Sequence, residues 1–274
     1  MEKSKILYVT QEINPFLIKS EISNFVRKVA QGVHESNKEI RIFMPRFGVI
    51  NERRHQLHEV IRLSGMNLIV NDYDHPLIIK VASIPQIRIQ VYFIDNEEYF
   101  KKKFIFKGAD EKYFKDNDEK SMFFCRRVLE TVKKLGWMPD IVHCHGWMTA
   151  LMPVYLKSVY KNDPHFSNAK VIYAHYKQDE KLKFSKELAT KLDFDELPIR
   201  DLNLNGLADV NKFHEIGIQW SDAVSHGTAE INESLLELIK KTDKSVLEFH
   251  NEEQTVEAHK NFYDKVLSEN GVLV

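Results

Sequence analysis

The sequence KILYVTQEINPFLIKSEISNFVRKVAQGVHESNKEIRIFMP, residues 5–45, decides the fold that we predict for this chain. Its first run, residues 5–10, is short and apolar and is typical of a buried strand. Ser20 then stands where an N-cap is expected, and apolar residues follow at helical spacing through residue 35. The run EIRIFMP (39–45) predicts a second strand. Strand, helix and strand in this order form a βαβ unit, so the two strands should be parallel.

The same alternation of strands and helices continues along the chain. It predicts an α/β fold with a doubly wound, mostly parallel, Rossmann-like sheet. Short β-rich runs between residues 57 and 94 predict a β-meander insertion, and residues 95–117 and 176–208 are interpreted as loops. The other predicted elements are strands at 140–145, 169–175 and 222–226, and helices at 118–135 (capped by Asp118), 147–160, 209–219, 228–241 and 251–268.

The bulk composition limits the function classes. The chain has 274 residues, 43% hydrophobic and 29% charged, which suits one large domain. Its 39 Lys and Arg residues balance 40 Asp and Glu residues, so neither nucleic acid nor a membrane is expected as a partner. Two distant cysteines fit a reducing compartment. No apolar run resembles a signal peptide or a membrane span, and we expect a cytoplasmic protein.

The stretch PDIVHCHGWMTALMPVYLK (139–157) resembles the N-terminal half of bacterial glycogen synthases and plant starch synthases. Those enzymes carry a strand ending in His-x-His-Asp-Trp-His, and here His143, His145 and Trp147 fill matching positions. The resemblance covers roughly residues 3–231 in the same order. Its other segments are 39–48, 96–108, 117–130, 171–175 and 211–231.

The resemblance implies one half of a two-Rossmann GT-B glycosyltransferase, which moves glucose from ADP- or UDP-glucose to an α-1,4-glucan. It implies that His175 is the catalytic position, since the family histidine lies beside the transferred glucose; a hydrogen-bonded structural histidine is the alternative. Trp147, Tyr99, His145 and Tyr176 are the candidate residues for binding glucan or another ligand. Phe100, Phe104, Phe106 and Tyr113 extend this aromatic set, either to stack on sugar rings or as ordinary packing.

The donor loop departs from the family pattern. The family has Lys-x-Gly-Gly-Leu after the first strand, where glycines let the backbone approach a pyrophosphate at a helix N-terminus. This chain has Lys19, Ser20 and Glu21 there, and either alignment removes both glycines. The Glu21 carboxylate would lie near the pyrophosphate and repel it. We therefore predict a vestigial donor loop that has lost phosphate binding.

The length departs from the family too. About 43 residues follow Ile231, whereas a second nucleotide-binding half needs on the order of 100 residues. We expect residues 1–231 to form the N-terminal domain and residues 232–274 to form a helical tail packed on it, with no second nucleotide-sugar domain. The tail residues expected to pack are Leu235, Leu236, Leu238, Ile239, Phe249, Phe262, Tyr263 and Val266.

Three functions remain open at this stage. The chain is a glucosyl transferase that is inactive unless another chain supplies the missing half, a non-catalytic glucan-binding or regulatory protein, or a scaffold for a protein partner. The partners to test are therefore an α-glucan, a second chain and a homodimer. We expect no cofactor and no metal, because His143 and His145 share one face of a strand without a third ligand nearby.

Overall fold

The computed structural model describes residues 3–65, 67–70, 73–177, 181–204 and 208–269. Its strands are β1 (Lys5–Thr10), β2 (Glu39–Pro45), β3 (His58–Glu59), β4 (Asn67–Val70), β5 (Tyr73–Pro76), β6 (Ile78–Ser83), β7 (Gln90–Asp95), β8 (Ile141–His145), β9 (Lys170–His175), β10 (Ala223–His226) and β11 (Ser245–Leu247). Its α-helices are α1 (Glu21–Glu35), α2 (Glu52–His55), α3 (Glu97–Phe100), α4 (Asn117–Lys134), α5 (Met152–Lys157), α6 (Leu188–Phe194), α7 (Val210–Trp220), α8 (Glu233–Lys240) and α9 (Thr255–Ser268).

One sheet in the order β11-β10-β9-β8-β1-β2-β7-β6-β3 forms the centre of the molecule. From β11 to β7 every neighbouring pair is parallel, and β6 and β3 add antiparallel strands at one side. The chain order reverses beside β1, which lies between β2 and β8. Sheets of this kind bind ligands outside the carboxyl ends of the strands near such a reversal. The doubly wound α/β fold that we predicted is confirmed.

The opening βαβ unit forms as its sequence predicts. The apolar residues of β1 are completely buried, as expected of a parallel strand covered on both faces. The Ser20 side chain accepts a hydrogen bond from the backbone N–H of Ile22 and caps α1. Helix α1 then presents an apolar stripe to the sheet, including Val26, Val29 and Val33. Pairing of β1 with β2 is parallel, with Leu7 opposite Arg41.

The predicted β-rich insertion is present, but it is shorter than predicted. Strands β3 and β6 form an antiparallel meander with β7, and β4 and β5 form a separate hairpin. Our assignment of β7 to the insertion was wrong, because β7 also pairs in parallel with β2 and belongs to the core sheet. Residues Val91–Ile94 form a continuous apolar run and do not alternate with polar residues, which is the pattern of a strand buried on both faces.

Two helix predictions need correction. Helix α4 begins at Asn117 and Asp116 occupies its N-cap, so Asp118 is not the cap; its carboxylate instead pairs with Lys191 Nζ at 3.1 Å. The single helix expected at 147–160 is a 3-10 turn, Trp147–Thr149, followed by α5. Pro153 lies in the first turn of α5, where its missing N–H costs nothing.

The segment after Ile231 packs against the sheet, and it contains a strand that we did not predict. Strand β11 extends the sheet beyond β10, with Val246 opposite Val224. Helix α9 lies against α1, and its Tyr263 hydroxyl is 2.8 Å from the Tyr8 hydroxyl of β1. Phe249 does not pack as expected, because 42% of its surface remains exposed.

A glycine permits the close approach of α1 and α9. A Cβ atom on Gly32 would lie 2.3 Å from Cγ1 of Val256. Gly32→Ala is therefore expected to lower the free energy of unfolding by about 1–3 kcal/mol, although alanine favours helix over glycine by about 1 kcal/mol. Urea unfolding measures this change. Adding Val256→Ala should restore most of the loss, and a Gly32→Ala variant more stable than the parent would contradict this packing.

Candidate functional site

Two adjacent clefts lie at the carboxyl edge of the sheet, beside the N-terminus of α1. The first cleft has a volume of about 500 Å³ and is lined by Ser20, Glu21, Ile22, Tyr176, Lys177, Thr228, Ala229, Glu230 and Phe249. The second cleft has a volume of about 200 Å³ and is lined by His175, Tyr176, Lys177, Asn211, His214, Glu230, Ile231, Asn232 and Leu235. Tyr176, Lys177 and Glu230 border both clefts.

A larger cavity of about 700 Å³ lies at the opposite edge, next to Lys3, Asp140 and Lys170. Lys170 begins β9, and Asp140 immediately precedes β8, so this cavity is at the amino ends of the strands. Ligands of doubly wound sheets bind at the carboxyl ends. Position in the fold therefore favours the two smaller clefts over the larger cavity.

A buried carboxylate holds the turn that leads into α1. Glu12 Oε2 accepts hydrogen bonds from the backbone N–H groups of Lys19, at 2.7 Å, and Ser20, at 3.1 Å. The Ser20 hydroxyl donates to the other oxygen of the same carboxylate. Donors of this kind at a helix N-terminus attract anions. Here the chain supplies the anion itself.

Sequence reasoning missed Glu12 as a functional residue. The predicted donor-loop residues Lys19, Ser20 and Glu21 all have exposed side chains, and Ser20 and Glu21 border the first cleft. The available signal was an acidic residue two positions after a buried strand, followed within eight positions by the cap of a helix without glycine. That pattern places a carboxylate close to the turn in sequence. It does not indicate that the side chain is buried and accepts hydrogen bonds from the backbone N–H groups of the turn.

His175 reaches the second cleft as part of a cluster of three histidines. Its ring centroid lies 4.9 Å from that of His226 and 6.2 Å from that of His214. The Nε2 atoms of all three lack a hydrogen-bond partner in the part of the chain that the structure describes. Burial lowers the pKa of His175 well below its ordinary value, and the neighbouring imidazoles of His214 and His226 lower it further. A neutral imidazole of this kind can hydrogen-bond to a hydroxyl group.

His143 and His145 lie beneath the clefts in a second buried cluster. His143 Nδ1 is 2.7 Å from the Tyr263 hydroxyl, and its Nε2 is 3.1 Å from the Ser225 hydroxyl. His145 Nδ1 is 2.8 Å from the Tyr176 hydroxyl. His145 therefore lines neither cleft and acts on them through Tyr176. Throughout the described ranges, no three His, Cys, Asp or Glu side chains are grouped to hold a metal ion.

Tyr176 is the predicted ligand residue that the structure does place at the clefts. Its ring occupies the space beside Gly227, where a Cβ atom would lie 2.1 Å from Tyr176 Cε1. Phe25 packs edge-on to the same ring, with centroids 5.9 Å apart. Glycine at 227 thus makes room for an aromatic wall between the two clefts.

Trp147 and Tyr99 are not brought to these clefts. Trp147 is 1% exposed and packs against Phe106 and Phe184, so its ring offers no surface for stacking on a sugar. Tyr99 is also buried and its hydroxyl bonds to Glu119 at 3.1 Å. Of the wider aromatic set, Phe104 is exposed, and Tyr113 borders a separate cleft next to Lys191.

Comparison with known proteins identifies the family. The family model described as the starch synthase catalytic domain matches residues 5–238, so the chain belongs to this family. It is 42% identical to a glycogen synthase of Chlorobium limicola over 172 residues, which is 61% of this chain and 35% of the relative. It is 34% identical to a glycogen synthase of Chlorobaculum parvum over 230 residues, which is 81% of this chain and 45% of the relative.

A solved structure supports the same fold. The chain superposes on the catalytic domain of starch synthase IV from Arabidopsis thaliana, bound to ADP and acarbose, with a TM-score of 0.69 at 15% identity. The superposition covers 96% of this chain and 50% of that one. The chain thus spans half or less of these relatives. Among the described residues, no helix combines the length and apolar character that crossing a bilayer needs.

The buried histidines predict a pH dependence of stability. Burial lowers the pKa of His214 to about 3 and that of His259 to about 4, from an ordinary value of 6.5. Below pH 6.5 the unfolded chain therefore takes up protons that the folded chain refuses. The free energy of unfolding should be highest above about pH 6.5 and fall as the pH drops toward 4. Urea unfolding at a series of pH values measures it.

The matched control is a histidine on the surface. His214→Gln should make the decline between pH 6.5 and 5 shallower, whereas exchange of the exposed His58 for glutamine should leave its slope unchanged. Burial raises the pKa of Asp118 and Asp195, which act in the opposite direction, and comparison of His214→Gln with the parent cancels their contribution. A parent protein equally stable at pH 7 and pH 5 would contradict the prediction.

Proposed function

We propose that this chain is a glycogen/starch synthase-like protein that binds an α-glucan at the carboxyl edge of its sheet. We further propose that by itself it does not transfer glucose from ADP- or UDP-glucose. The family assignment and the position of the two clefts support the first statement. The hydrogen bonds of Glu12 to the turn before α1 carry the second.

The argument from Glu12 is electrostatic. The N–H groups of Lys19 and Ser20, which could meet a donor pyrophosphate, already serve the Glu12 carboxylate. A diphosphate would have to displace that carboxylate or lie beside it, together with the exposed carboxylate of Glu21. Like charges so close repel strongly where the surroundings are partly buried. This arrangement disfavours a sugar nucleotide at the turn.

The two clefts suit a neutral, hydroxyl-rich ligand better. The side chains of Lys177 and Glu230 form an ion pair at their common border, and the Thr228 hydroxyl and His175 imidazole add uncharged polar groups. Charged side chains form strong hydrogen bonds to hydroxyl groups. In this proposal His175, which is 1% exposed, supports the wall of the second cleft and does not act as an acid, because burial lowers its pKa and keeps it neutral.

The proposal also covers how the chain is divided into a domain and a tail. We propose that residues 1–231 act as an N-terminal domain and that residues 232–274 form a tail packed on it. The buried contact between Tyr263 and Tyr8 supports this division.

Calorimetric titration tests the proposed function. Maltoheptaose is expected to bind the purified chain, and ADP-glucose and UDP-glucose are expected to give no binding heat. Incubation with radiolabelled ADP-glucose and glycogen should incorporate no label. Binding of ADP-glucose by the wild-type chain, or transfer of glucose without a partner, would overturn the proposal that the chain alone is inactive. Absence of maltoheptaose binding would overturn the proposal that it binds a glucan.

A protein-interaction scaffold is the second candidate function. Ile18 is 53% exposed and follows β1 at the carboxyl edge, where Phe249 is exposed as well. A contiguous exposed apolar surface marks a docking site. Light scattering over a range of protein concentrations tests for a homodimer, and a monomer at every concentration would exclude that form of the scaffold.

A further inference from the structure

Phe249 is an aromatic residue that the family assignment does not explain. It lies outside the matched residues 5–238 and follows β11, the strand that the sequence did not predict. Its ring is exposed and lines the first cleft, across from the loops after β9 and β10. An isolated exposed phenylalanine needs no explanation. One at the wall of a cleft that also presents charged and hydroxyl side chains is a candidate for ligand contact.

The backbone on both sides of Phe249 is held in place. On its N-terminal side, Leu247 is buried and pairs with Ser225 of β10. Glu248 contacts His226 of β10, with its Oε2 2.9 Å from the imidazole Nδ1. On its C-terminal side, His250 Nδ1 lies 2.7 Å from the carbonyl oxygen of Glu248. The aromatic ring is therefore presented from a fixed backbone.

The groups that share the first cleft with Phe249 are those that recognise hydroxyls. The Thr228 hydroxyl accepts from the backbone N–H of Lys177 at 3.0 Å and donates to the carbonyl oxygen of Glu230 at 3.1 Å. Lys177 and Glu230 are ion-paired. An aromatic face combined with such groups matches a sugar ring, which has apolar C–H faces and a polar rim.

The charge and size of the first cleft favour a neutral oligosaccharide. Glu21 and Glu230 contribute two negative charges to its lining against one positive charge from Lys177. That balance disfavours a phosphorylated ligand. The volume of about 500 Å³ lies within the range of roughly 300–1,000 Å³ that is typical of ligand clefts, and it accommodates more than one sugar residue.

We propose that Phe249 is the stacking platform for one glucosyl residue of a linear α-glucan held in the first cleft. This inference rests on the proposed glucan binding and adds to it a residue and a position. It assigns ligand contact to a segment beyond the family match. The sugar ring lies on the exposed face of Phe249, and its hydroxyls face the pair formed by Lys177 and Glu230.

Titration of variants with maltoheptaose tests the assignment. Phe249→Ala is expected to raise the dissociation constant about 2- to 10-fold, which is the range of an aromatic stacking contact. Phe249→Tyr should bind like the parent, because it keeps the ring. Phe194→Ala is the matched control, since Phe194, at the end of α6, is 50% exposed against 42% for Phe249 and lines neither cleft.

A second measurement reads the contact directly. In saturation-transfer difference NMR, the C–H protons of the stacked glucosyl residue should receive the strongest transfer, and Phe249→Ala should lower the transfer to these protons relative to the other maltoheptaose protons. If the parent binds maltoheptaose and Phe249→Ala binds it equally well with the same transfer, the stacking assignment is overturned and glucan binding stands. If the parent binds no maltoheptaose, the proposed function itself is overturned.

Discussion

The inward-turned carboxylate of Glu12 fixes the passage from the central strand to the first helix. A turn at a helix N-terminus presents backbone N–H groups that need acceptors. In this chain Glu12 accepts from two of them and from the Ser20 hydroxyl, so the turn is complete without a bound anion. The position of α1, and with it one wall of the first cleft, follows from this interaction.

Most of the fold could be predicted because its signals are local. The apolar run of β1, the cap at Ser20 and the stripe of α1 each lie within one window of sequence, and each formed as expected. Strand β11 escaped prediction because three residues are too few to show a period. Its pairing with β10 depends on tertiary contact. The parallel partner of β7 is likewise distant in sequence.

The site was harder to predict, because burial decides what its residues can do. The resemblance proposed His175 and Tyr176 as site residues; Tyr176 lines both clefts, and His175 lines the second. It also pointed to Trp147, but the packing of Phe106 and Phe184 covers that ring. No pattern in the sequence indicates that a distant loop will bury an aromatic residue. Phe249 shows the converse, since an apolar residue expected in the core lies at a cleft wall.

The contact between Tyr8 and Tyr263 joins residues 255 positions apart. During synthesis on the ribosome, β1 emerges long before the partner of its tyrosine hydroxyl is translated. Strand β1 must also wait for β8 before its second edge is paired. Folds dominated by such remote pairings form slowly and expose strand edges meanwhile. The nascent chain thus exposes the unpaired edges of an incomplete sheet, and this is a state that chaperones would bind.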